Sequence, residues 1–258
     1  MNQPVEGAQA LPDWFVPLAQ LPARVRLEDF AHGLVPSDEG RRSAVLMLFG
    51  DGADGPDVLL TQRAATLRSH AGQVSFPGGR LDPDDAGPAE AALREAQEET
   101  GVEPSGVVVA GLFPQLYLTP SHHLVTPVLG WWRSPSPVAV ADPAEVARVE
   151  RVPVGELLEP GNRFTVQHVS GFLSPGFAAR GLFVWGFTAI LLDRLFALSG
   201  WELAWDHARL EPLPEVLSRL PDDPARGQTG AGEVPVAGVC DGVDTERADR
   251  QPATGNGG

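Results

Sequence analysis

The chain has 258 residues, 43% of them hydrophobic, which is enough for one large domain with extensions and too apolar for a chain disordered throughout. Its net charge of −15 argues against a general binder of nucleic acid or anionic membranes. The single cysteine, Cys240, lies near the C-terminus, which excludes disulfides and a thiolate metal site and suits a reducing cytoplasm; the N-terminus carries no basic-then-apolar signal pattern.

Residues 11–25 place Trp14, Phe15, Leu18 and Leu21 on one face of a short helix that Pro22 ends. Residues 33–42 read as a polar connection. Residues 44–49, an apolar run bounded by Gly50-Asp51-Gly52, read as a buried strand, and residues 57–63 as its hairpin partner. Residues 73–76 form a further strand that feeds a turn at Pro77-Gly78-Gly79.

A helix is expected over residues 88–100. Pro88 suits its first turn and Gly101 its left-handed stop. Ala89, Ala92, Leu93, Ala96 and Thr100 recur at helical spacing and make the core stripe. On the other face Glu95, Glu98 and Glu99 stand at i, i+3 and i+4. Like charges so spaced destabilise a helix by about 0.2–0.5 kcal/mol per pair, and the last turn disfavours anions. Arg94 can bridge Glu90 and Glu98 and offset part of that cost. A divalent cation would offset the rest, and carboxylate oxygens suit magnesium or manganese. The alternative is a solvated acidic face.

Beyond the helix, residues 106–113 read as a β-branched strand and 114–123 as a loop. His122 and His123 alternate in direction and line a pocket edge or the surface. Residues 124–132 form a strand in which Pro127 suggests an edge or bulge. Residues 145–154 alternate as a strand, with a short helix at 156–158. Residues 164–169 form another strand, and 185–198 an apolar helix too short and too charged, at Asp193 and Arg194, to span a membrane. A last helix is possible near 213–220. Residues 221–258 have the composition of a disordered tail.

The run Arg94-Glu95-Ala96-Gln97-Glu98-Glu99-Thr100-Gly101-Val102 resembles the second half of the Nudix box, G-x5-E-x7-R-E-U-x-E-E-x-G-U, in which U is aliphatic; Ala96 is small for its position. The first half departs by one extra residue between Gly79 and Arg94. Counted forward from Gly79 the box's first Glu falls on Asp85; counted back from Arg94 it falls on Ala86. Upstream, Leu59, Leu60, Thr61, Arg63, Ala64, Arg68, Gly72, Phe76, Pro77, Gly78 and Gly79 fit L-L-T-x-R-(S/A)-x3-R-x3-G-x3-F-P-G-G. That pattern belongs to the coenzyme A pyrophosphatase (CoA diphosphatase) branch of the Nudix hydrolases, which also shares the longer spacing. Asn162-Arg163-Phe164 and residues 181–189 are similar to it as well.

The resemblance implies an α/β fold, an α-β-α sandwich with a mixed sheet and a loop-helix-loop box. The resemblance covers about residues 40–205; with the composition it divides the chain into an N-terminal extension at 1–39, a Nudix domain at 40–220 and the tail at 221–258. It implies metal-dependent hydrolysis of the diphosphate of coenzyme A or acyl-CoA to 4′-phosphopantetheine, or its acyl form, and adenosine 3′,5′-bisphosphate. Alternatives are another nucleoside diphosphate derivative, such as ADP-ribose or NADH, or a nucleotide sensor without catalysis. The metal ligands would be Glu95, Glu98 and Glu99, holding Mg2+ or Mn2+, and Glu95, Glu98 and Arg94 the catalytic set. Glu98, Glu145 and Glu150 are candidates for the base. Arg63, Arg68 and Arg80, with Gly78 and Gly79, would meet the substrate, since guanidinium forks match phosphate oxygens. Without the resemblance, Arg63 and Arg68 read equally as surface arginines, and His70 as a polar loop residue or a phosphate donor. A cytoplasmic protein with a small-molecule substrate, no nucleic acid and no membrane is expected. The oligomeric state is open.

Overall fold

The computed structural model describes residues 11–30, 40–67, 70–118, 122–168 and 170–213. The tail at 221–258, the helix expected past Leu213, Val169 and Arg68 lie outside them.

The first apolar stretch gives two single turns, α1 (Val16–Ala19) and α2 (Leu27–Phe30). The helix expected over 11–25 is thus shorter. Pro12, Pro17 and Pro22 leave room for one turn only. Its apolar face is as expected, since Phe15, Leu18 and Leu21 are buried. Each such burial is worth about 1.5–3 kcal/mol.

The run at 44–49 is the middle of β1 (Arg41–Gly52), which folds back antiparallel on β2 (Gly55–Arg63) through the glycine turn. Two short strands follow, β3 (Val74–Ser75) on β2 and β4 (Gly78–Arg80) on β1. Gly78 and Gly79 therefore belong to a strand and not to a turn. Then come α3 (Pro88–Thr100) and β5 (Val107–Leu112). The expected loop at 114–123 contains a strand, β6 (Leu116–Leu118), and its last residue opens β7 (His123–Trp132). β8 (Val146–Pro153) pairs with β2 and leads into α4 (Val154–Leu158).

β1 and β7 lie side by side in parallel at the centre of an eight-stranded sheet; the other pairs within it are antiparallel. Pro127 therefore sits in a central strand, not at an edge. The Phe113 N–H donates to its carbonyl at 2.9 Å, in the interval where β5 gives way to β6 along β7. The amide hydrogen that Pro127 lacks would point into that same interval, so no ladder bond is lost.

A second sheet, missed in part from sequence, joins β9 (Arg163–Gln167), β10 (Leu173–Ala179), β11 (Leu182–Val184) and β12 (Leu210–Pro212) in the order β11-β10-β9-β12. Between β11 and β12 runs α5 (Gly186–Ser199). Among the described residues no helix is long and apolar enough to cross a membrane.

The large sheet separates two cores. On one face Ala44, Leu46 and Leu48 of β1 meet Ala91, Ala92 and Ala96 of α3. On the other, Met47 and Phe49 share a core with Phe15, Leu18, Leu191, Leu192 and Leu195 of α1 and α5. This is the expected α-β-α layering around a mixed sheet. Arg163 joins the second sheet to α5. Fully buried, it pairs with Asp193 of α5 and with Glu202 at 3.1 Å, and stacks on Phe177 and Trp205.

Candidate active site

α3 starts at Pro88 and stops at Gly101, which takes the left-handed conformation at φ +74°. Its last carbonyls are satisfied from outside. The N–H groups of Ala139 and Ala141 donate to Thr100 and Glu99, both at 3.1 Å. The sheet-facing side of the helix is alanine, so its backbone lies close to β1 and β4.

That closeness fixes the glutamates. Gly78, at φ +155°, runs so tightly along β1 that a Cβ there would stand 2.3 Å from the Ala44 carbonyl oxygen. A Cβ on Gly79 would stand 2.4–2.5 Å from the Glu95 carboxylate. Glu95 thus rests on bare backbone. Glu99 is buried and accepts the Gly78 N–H at 3.1 Å. The outer face expected for all three glutamates holds only part of them. Glu99 follows Ala92 by seven residues and Ala96 by three, so it borders the alanine stripe and turns inward. Glu98 points to solvent. Among the described residues no three His, Cys, Asp or Glu side chains stand grouped as a ready cation site.

The electrostatics follow from burial. Desolvation pushes the Glu99 carboxyl up to about 7; the Gly78 N–H and Arg63 pull against it, while Glu95 and Glu145 add repulsion. Desolvation likewise raises Glu95, opposed by Arg94. Two desolvated carboxylates that repel each other form a donor set that a hard divalent cation fits, because its charge removes both penalties.

Arg94 is a hub. Its Nε and Nη2 donate to Asp85 at 3.1 and 3.0 Å, Nη2 also to the Arg80 carbonyl at 3.0 Å, and Nη1 to Glu95 and Glu98 at 3.2 and 3.1 Å. The bridge to Glu90 expected from helical spacing does not form. The Glu90 carboxylate instead accepts the Ala86 N–H at 2.6 Å ahead of the helix. Asp85, the residue reached by counting forward from Gly79, is the one that grips Arg94. The Arg94 fork in turn holds the Asp85 carboxyl below its ordinary range. Nothing in the spacing alone could choose Asp85 over Ala86; the fork geometry does.

Arg63 ends β2, its charge reaching Glu99 and its Nε buried and unpartnered among the described residues. Arg80 is exposed on β4. Glu145 is exposed, and its carbonyl accepts the Ala64 N–H at 2.8 Å, which anchors it next to Arg63. Glu150 is held by Arg148 at 2.8 Å, partway along β8. His70, at φ +58°, bonds Gln73 through Nδ1 at 2.9 Å. His122 bonds the Tyr117 hydroxyl at 2.8 Å.

A short glycine strand, a following helix with the inward carboxylates of Glu95 and Glu99, and an arginine that holds Glu95 and Glu98 make a loop-helix-loop on a mixed sheet. The NUDIX domain model matches residues 40–169, and the chain belongs to the Nudix family. It is similar to the uncharacterized Nudix hydrolase NudL of Cronobacter sakazakii, with 41% identity over 146 residues, 54% of this chain and 73% of that protein. NudL of Photorhabdus laumondii is 38% identical over 166 residues, 62% and 85% of the respective chains. Among solved structures, the Nudix hydrolase RenU of M. smegmatis aligns over 69% of this chain and all of its own, at 18% identity and a TM-score of 0.45.

Proposed function

We propose that the chain hydrolyses the diphosphate of coenzyme A or an acyl-CoA, giving 4′-phosphopantetheine or its acyl form and adenosine 3′,5′-bisphosphate. The observation that carries this reading is the meeting of the two motifs. Arg63, from the coenzyme A pattern, lies near enough to Glu99, from the box, for its charge to favour the ionised carboxyl. A guanidinium and a buried carboxylate thus act in one electrostatic environment, which supports a phosphate site there.

Glu95 and Glu99, with Glu98 at the rim, would hold Mg2+ or Mn2+. When bound, the cation supplies charge neutralisation at the diphosphate and lowers the pKa of water. The chain's own residues do the rest. Arg63 holds phosphate oxygens and so keeps the bridging oxygen in line with the attacking water. Arg94 touches no substrate and keeps Glu95 and Glu98 aimed. A water oxygen bonds to one phosphorus, the bridging P–O bond breaks, and the water proton passes to a carboxylate at the rim, Glu98 or Glu145. The tie of Glu150 to Arg148 argues against it in that role.

Product chromatography tests the reading. The whole chain is incubated with coenzyme A, ADP-ribose or NADH and with Mg2+ or Mn2+, against a chelator control. Metal-dependent release of adenosine 3′,5′-bisphosphate, faster than cleavage of the other two, is expected. Glu98→Gln should lower turnover by roughly 10²–10⁴-fold in folded protein. Faster cleavage of ADP-ribose or NADH would overturn the coenzyme A assignment. No turnover of any of the three would favour a sensor.

A further inference from the structure

We propose that Arg41, Arg80 and His123, with Ser43 behind them, form a receptor for a phosphate monoester carried by the same substrate, apart from the diphosphate subsite at Glu95 and Glu99. The inference rests on the coenzyme A reading, because that substrate carries a ribose phosphate in addition to its diphosphate.

Register places the group. Arg41 lies opposite His123 in the parallel β1–β7 pair, and Ser43 lies opposite Arg80 in the antiparallel β1–β4 pair. Cross-strand partners share a face, and so do residues two apart on one strand. All four side chains therefore emerge on one face, at one end of three adjacent strands. The Ser43 hydroxyl is 2.7 Å from His123 Nδ1, which fixes the ring and leaves Nε2 for a ligand. The Arg41 N–H bonds the His122 carbonyl at 2.9 Å and seats the start of β1 against β7.

Charge argues the same way. Arg94, Arg148, Arg151, Arg163, Arg180 and Arg209 each hold a carboxylate. Among the described residues no carboxylate pairs with Arg41 or Arg80, and none with Arg24, Arg26, Arg42, Arg63, Arg133 or Arg194, so it is juxtaposition with His123 that marks Arg41 and Arg80. Burial and the nearby charges of Arg80, Arg41 and His70 push the His123 pKa down, so this end of the sheet is a positive spot on an acidic protein. A phosphate monoester carries about −1.5 to −2 charge and is matched by two guanidinium forks and an imidazole. β4 carries residues of both subsites: Gly79 lies against Glu95 on the face toward α3, and Arg80, the next residue, points to the opposite face, so a substrate that engages both passes round the edge of β4.

Calorimetry on the whole chain, without metal, would compare adenosine 3′,5′-bisphosphate with AMP, which lacks the 3′-phosphate. The bisphosphate should bind at least about tenfold more tightly. In Arg41→Gln/Arg80→Gln that preference should fall to near one, with the thermal midpoint checked for intact folding. A second arm takes the ratio of kcat/KM for coenzyme A over 3′-dephospho-coenzyme A, which should collapse likewise. No preference in the natural chain, or a preference that survives the double substitution, would overturn the proposal. Equal cleavage of the two coenzymes would sink the receptor and leave the proposed function standing. A bisphosphate preference lost on substitution, in a chain that cleaves neither coenzyme, would support the receptor and sink the coenzyme A reaction.

Discussion

Gly78→Ala and Gly79→Ala should separate stability from chemistry, although the two residues are neighbours. At Gly78 a Cβ would stand 2.3 Å from the Ala44 carbonyl oxygen and 2.6 Å from the Val45 Cα, both backbone, at a φ of +155°. Neither neighbour can rotate away. The disfavoured backbone region costs about 1–3 kcal/mol and the overpacking about 1–3 more. A loss of this size lowers the melting midpoint by roughly 2–4 °C per kcal/mol. At Gly79 the new Cβ meets only the end of a flexible side chain. The Glu95 carboxylate, 2.4 Å away, has to reach ordinary contact at 3.4 Å or beyond, a shift of about 1 Å. Forcing Glu95 off its rotamer costs about 0.5–1.5 kcal/mol, whereas a misplacement of about 1 Å in a catalytic group can cost about a hundredfold in rate. Thermal melts and kcat on the best diphosphate substrate would measure both. Gly78→Ala should melt several degrees lower. Gly79→Ala should melt near the natural chain and turn over about a hundredfold more slowly. Full activity in Gly79→Ala, or equal melting losses in the two, would refute the placement of β4 along β1 and under Glu95 of α3.

Other substitutions test the remaining parts. Asp85→Asn takes the charged fork from Arg94 and should lower kcat about 10–100-fold with little change in KM, because Arg94 positions carboxylates and does not touch substrate; a change confined to KM would contradict that role. Arg163→Met strands Asp193 and Glu202 and should cost about 3–5 kcal/mol in denaturant unfolding; a loss near zero would mean the buried network carries no stability. His168 is buried, bonds Ser174 through Nε2 at 3.0 Å and leaves Nδ1 without a partner among the described residues, and burial holds its pKa below the unfolded value. The unfolded chain then takes up the proton first as pH falls through about 6.5, and stability is lost downward from there. His168→Gln should flatten that loss between about pH 7 and 5 in urea titrations, and an identical slope in both proteins would count against it.

What the sequence made legible was local. Pro88 and Gly101 delimit α3, and the alanine spacing names its covered face, because each signal acts within a turn or two. The hairpin of β1 and β2 was visible for the same reason. What escaped depends on distant partners. Residues 173–179, with Pro175 and Gly176, have turn chemistry and become β10 only because β9 lies alongside. Leu210-Glu211-Pro212 is a strand only by its pairing with 165–167. Pro127 suggested an edge because its neighbours were unseen. At the site, the glutamate spacing was plain, but the inward turn of Glu99 required the alanine stripe to be extended one residue around the helix. Asp85 and Arg94 show the same limit, since a nine-residue separation through a loop fixes no geometry until the loop is folded.

The alanine floor under α3 sets where this site can vary. Ala91, Ala92 and Ala96 have no rotamers to adjust, so the inner carboxylates are placed by the helix backbone itself. Their spacing to β4 is inherited from the main chain and changes only if the main chain moves. Diversity in ligand choice is thereby pushed outward, to Glu98, Glu145 and the arginines at the ends of β1, β2 and β4. A lineage could exchange those rim residues one at a time while the inner pair stayed fixed, because all of them except Glu98 lie on elements other than α3.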